Sequence, residues 1–267
     1  MIDRLTGELV APLRGVDTGS WQAALAEAKS TLADLAVRRA GTGPFRVTDH
    51  DVRAALCGDA GDPSDEPFAW STRTARRALG LAAVRLLVAG RARSPVDAVE
   101  ARLDESSRWV RDGSSCASQL DRWLAGLPRS GRAAVGAEAV TWATRLWCAL
   151  DWSAFSSAPV IGRDRWWDSP HSALLALRGR ADVRTERSHL VVLSGPRRSS
   201  VRAELALVTL VESLHARGGA VPGRVVGWWP DSGHLVRVDP EPAALTLGAE
   251  AVSLVLAGPG APVRSAA

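Results

Sequence analysis

The sequence predicts a mixed α/β protein of the α+β kind, with a helical N-terminal part and strands in the C-terminal half. Three observations predict it. Through about residue 150 the apolar residues recur at helical spacing. From Asp151 onward, short β-branched and apolar runs are separated by Gly, Pro and Ser. One amphipathic segment, 199–217, interrupts those runs, and a strand pair follows it. Two regions are therefore expected: a helical one at 1–130, packed on an α/β core at 131–267.

Residues 18–40 read as a helix. Thr18 or Ser20 can cap it, Trp21, Leu25, Leu32 and Leu35 supply its stripe, and Gly41 and Gly43-Pro44 end it. Thr48-Asp49 opens a short helix to about Leu56, and 58–67 is a loop rich in Gly, Asp and Pro. Ser71-Thr72 starts a helix that runs to about Gly90. Ser94-Pro95 starts the next, with proline at the first helical position, and its stripe fades near Ser106. A short helix at about 118–126 is broken by Leu127-Pro128-Arg129-Ser130-Gly131, and a long helix spans about 132–150. Strands are expected at 172–177, 181–185 and 189–194, then the helix at 199–217. Strands at 224–229 and 234–238 are joined by the turn Pro230-Asp231-Ser232-Gly233, and 242–256 closes with a helix.

With 46% apolar and 23% charged residues, the chain belongs to the folded class and can build a core. The N-terminus has no basic start followed by an apolar run, so no signal peptide is expected. No apolar run approaches the roughly 18 residues of a membrane span. A cytoplasmic location away from membranes is the resulting expectation. Cys57, Cys116 and Cys148 are far apart and odd in number, against a disulfide framework or a paired-cysteine metal site. The net charge of +4 is split evenly between 1–150 and 151–267, so neither half is a basic arm, and a nucleic-acid partner is allowed without being demanded. Lys29 is the single lysine and tyrosine is absent, which fits coding from a GC-rich genome.

Several chemistries lack their residues. The five histidines form neither HExxH nor a paired metal spacing, and Gly-x-Ser-x-Gly is absent. A lone lysine in the first helix excludes an ordinary P-loop.

One ordered set remains: helix, three strands, helix, strand, across roughly 130–258. Gly179-Arg180-Ala181-Asp182-Val183 forms one strand with an acid, Leu190-Val191-Val192-Leu193-Ser194-Gly195 the next, and Glu204-Leu205-Ala206-Leu207-Val208 lies on the helix that follows. This order resembles the PD-(D/E)XK nuclease superfamily, in particular its RecB-like branch. There, similar segments are a Gly-x-x-Asp strand, a strand ending in Asp/Glu-x-Lys and Gly, and a helix with Gln-x-x-x-Tyr. The resemblance implies a restriction-endonuclease-like αβββαβ core in the C-terminal half. It also implies Mg²⁺ held by two carboxylates, with a lysine supporting developing charge.

Departures from that pattern decide the expected activity. Asp182 can be the first carboxylate, but the second position is Leu193 and the lysine position is Gly195 or close to it. Arg197 or Arg198 could reach back, yet arginine is a poor proton acceptor at physiological pH. Glu138 and Glu204 complete the vestigial candidates for a catalytic set with Asp182. Asp182 also has a plainer reading, since Arg180 and Arg184 flank it at i±2 and an ion pair could form on one strand face.

Binding features are more numerous. The loop 195–200 opens a helix with Arg197, Arg198 and Arg202, which suits a phosphate. Arg73, Arg76 and Arg77 share one helix surface at i, i+3 and i+4. Trp166-Trp167 and Trp228-Trp229 are adjacent pairs, so one ring of each is expected in the core and the other to pack against the N-terminal helices, stack on a base or pack on a partner. The leading expectation is a catalytically inactive nuclease-like protein that binds DNA or a protein partner in DNA processing or defence, with no cofactor. Two alternatives stand beside it. One is an active nuclease using Mg²⁺ at a migrated site built from Asp182 with Glu138 or Glu204. The other is a protein-interaction module without nucleic-acid binding.

Overall fold

The computed structural model describes residues 2–13, 15–38, 45–57, 70–169, 175–216, 218 and 220–257. It is mixed α/β, with helices and two mixed sheets. In chain order the elements begin α1 (Ile2–Val10), α2 (Thr18–Arg38), β1 (Phe45–Val47), α3 (Asp49–Cys57), α4 (Thr72–Val88), α5 (Pro95–Arg111), α6 (Gln119–Gly126) and α7 (Arg129–Ala149). There follow β2 (Val160–Ile161), β3 (Arg165–Asp168), β4 (Leu175–Gly179), β5 (Val183–Arg184), β6 (Ser188–Val192), α8 (Val201–His215), β7 (Arg224–Trp229), β8 (His234–Val238) and α9 (Pro242–Ala257).

The chain forms two compact units, Met1–Thr6 with Glu66–Gly162 and Gly7–Asp65 with Arg163–Ala267. These bounds differ from the expected division at 130/131. Helix α7 belongs to the helical unit, whereas α2, β1 and α3 belong with the strands. The stripe on α2 has a physical reason to do so: Trp21, Leu25 and Leu32 are buried in one core with Leu207 and Leu210 of α8 and Leu245 and Val252 of α9.

The helical unit is started by the caps its sequence announces. The Ser71 hydroxyl accepts the Thr74 amide, and the Ser118 hydroxyl accepts the Asp121 amide, each in a reciprocal capping box. Helix α5 runs five residues beyond Ser106, where the apolar stripe lapses. Ser106 is buried there, and the Ser107 hydroxyl donates to the Leu103 carbonyl at 2.7 Å within the helix. Helix α7 starts at Arg129, because Pro128 stands just before the first turn, where its missing N–H costs nothing.

The other unit carries two sheets. One has the order β1-β4-β3, with β1 parallel and β3 antiparallel to β4. The other contains β5-β6-β7-β8 in that order. There β5 is antiparallel to β6, β6 is parallel to β7 across the α8 crossover, and β7 is antiparallel to β8. The first of the three strands expected in series, β4, pairs with β1 and β3 and not with β5. Residues 172–174 of that expected strand lie outside the described residues. The short strands β1, β2 and β3 were not expected, since a run of two to four residues carries too few positions for a period, and the nine-residue helix α1 was not expected either.

Helix α8 is the centre of this unit. Val201, Leu205 and Val208 pack with Val191, Val225 and Trp229 of the sheet, while Ala203, Leu207, Leu210 and Val211 face the core shared with α2 and α9. A helix apolar on both sides needs cover on both sides. Gly248 allows α9 to approach closely, since a Cβ there would lie 2.7 Å from the Ala206 carbonyl oxygen. Among the described residues no helix is long and apolar enough to cross a membrane.

Candidate functional site

Asp182 lies directly before β5, and its residue is fully buried. Its amide donates to the Leu190 carbonyl at 2.7 Å, and its Oδ2 accepts the Val192 amide at 2.8 Å. The carboxylate therefore caps the end of β6. Arg180 takes the complementary group, donating to the Val192 carbonyl at 3.1 Å and to Asp49 Oδ2 of α3 at 3.0 Å. Burial works against the Arg180 charge, but Asp49 first and Asp182 next favour it, so the guanidinium holds its proton more tightly than usual. Of the two flanking arginines, Arg180 feels the Asp182 charge, while Arg184 pairs with Glu212 at 2.8 Å.

Leu193 and Gly195, where the resemblance expects a second acid and a lysine, have structural roles. Leu193 is 3% exposed and packs with Val191, Val201 and Leu205. An acid there would be buried in apolar surroundings. Gly195 has φ +79, a conformation that a lysine would adopt only under strain.

Glu204, on the first turn of α8, is engaged by arginines. Arg198 donates two hydrogen bonds to it, at 2.7 and 2.6 Å, and Arg53 of α3 two more, at 3.4 and 3.0 Å. The Ser200 hydroxyl adds a fifth at 2.8 Å. Burial pushes the Glu204 carboxyl up, but Arg198, Arg53 and Ser200 together hold it below the ordinary glutamate range. Glu138 lies on α7 in the helical unit, where it pairs with Arg76 at 3.1 Å on the surface. Among the described residues no group of three His, Cys, Asp or Glu side chains could hold a metal ion. Glu138 belongs to the other unit from Asp182 and Glu204, and within the strand-bearing unit Arg198 and Arg53 engage both oxygens of the Glu204 carboxylate.

A second polar cluster lies further along α8. Glu212, with its side chain 2% exposed, accepts from Arg184 at 2.8 Å and from Arg165 at 2.6 Å. His189 Nε2 stands 3.9 Å from the same carboxylate, and burial, which outweighs Glu212, drives the imidazole pKa down to about 4. Arg184 also donates to the carbonyls of Gly179 and Arg163.

The expected binding residues divide. Arg197 and Arg202 are exposed, with no ion-pair partner among the described residues. Arg198 is committed to Glu204, and Arg76 to Glu138. Arg73 is exposed, and Arg77 is half-buried. Neither Ser199 nor Ser200 caps α8 through its side chain: Ser200 is the residue before the helix, but its hydroxyl serves Glu204. Trp166 is 40% exposed on β3, with the guanidinium groups of Arg46 and Arg178 at 5.7 and 6.0 Å from its ring, while Trp167 packs on the core. Trp228 and Trp229 are both buried, because every residue of β7 is buried, so neither ring is open to a base.

Sequence reasoning missed Asp49, Arg53, Glu212, Arg165 and His189 as members of these clusters. Glu212 had a signal: a charged residue amid Leu205, Val208, Leu210 and Val211 must be paired if that helix is buried. The α3 residues had none, since their partners lie more than a hundred positions away. Comparison with protein-family models, with curated proteins and with solved structures finds no match.

Proposed function

We propose that the chain is a catalytically inactive, nuclease-like protein that binds nucleic acid. The observation that carries this reading is the state of its acids: Glu204 is held by two arginines, Asp182 caps a strand beside Arg180, and the next acid position is the core residue Leu193. The crossover β6-α8-β7, with β5 antiparallel to β6, supports a restriction-endonuclease-like core of the RecB-like kind. Assignment to DNA processing or defence rests on that resemblance. Arg197 and Arg202, exposed at the start of α8, are the proposed phosphate contacts. The pairing of Arg76 and Arg198 with glutamates favours a second reading, a protein-interaction module, because it removes two charges from the basic set.

A salt titration of binding to a labelled duplex oligonucleotide separates the two. On the first reading the affinity falls steeply with salt, and Arg197→Ala/Arg202→Ala flattens the logarithmic slope by about 2. Undetectable binding at low salt rejects nucleic-acid binding and leaves the interaction module.

A further inference from the structure

We draw no further inference here: the strongest candidate, the surface patch of the β1-β4-β3 sheet where Trp166 is 40% exposed beside the guanidinium groups of Arg46 and Arg178, carries nothing because Asp164 and Asp168, flanking Trp166 at i±2, match its two arginines in charge and nothing in the structure shows what covers it.

Discussion

Glu212→Ala is expected to destabilise the chain by about 3–5 kcal/mol, the loss typical of removing one partner from a buried ion pair. Arg184 has its side chain 5% exposed and donates to Glu212 at 2.8 Å. Without the carboxylate its charge stays buried, with carbonyls as partners and no anion. Arg165, about half exposed, can turn to water and contributes little to the loss. Glu212→Gln keeps the shape and removes the charge, and is expected to fall between parent and alanine variant. Urea unfolding reads the effect as a lower midpoint at unchanged slope. A loss below about 1 kcal/mol for Glu212→Ala, the range of an exposed pair, would show that Arg184 finds other compensation.

Stability is also expected to drop as the pH falls from 6.5 toward about 4 through His189, whose folded pKa is about 4 against an ordinary 6.5. The folded imidazole binds its proton less tightly than the unfolded one. In that window the unfolded chain carries more protons, so stability rises with pH. The contribution is complete above 6.5 and lost as the pH falls through the folded value, and its size is about 3 kcal/mol. The groups facing the ring act in opposite senses: Glu212 favours the charged form, Arg184 and Arg165 oppose it, and burial dominates all three. His189→Gln should flatten the dependence between pH 6 and 5 in unfolding measurements across that range. An equally steep dependence in the variant would assign it to other groups.

The elements were legible where local chemistry decides them. Ser71 and Ser94 announced their helices, and Pro230–Gly233 its turn, through short-range hydrogen bonds and backbone preferences that act within a few residues. The assignment of α2 to a core was not legible, because the stripe of Trp21, Leu25 and Leu32 states that one face is buried but not against what. The separation of β4 from β5 was hidden for a similar reason: Leu175–Gly179 alternates as a strand should whichever sheet receives it. At the site, the sequence shows Asp182 with Leu193 and Gly195 standing where the resemblance expects a second acid and a lysine. Their surroundings were not legible, since Arg53 and Asp49 reach Glu204 and Arg180 across long separations that no local pattern encodes. The arginines expected to face a ligand were partly spent inside the protein, as Arg198 shows.

The proposed inactivity rests on Arg198 and Arg53 engaging Glu204 and on Asp182 being spent on the end of β6 beside Arg180. Incubating the purified chain with plasmid DNA in Mg²⁺ or Mn²⁺, beside Asp182→Asn, tests it most directly. DNA that stays intact with both proteins is the predicted result. Metal-dependent cleavage by the parent that disappears in Asp182→Asn would contradict the account.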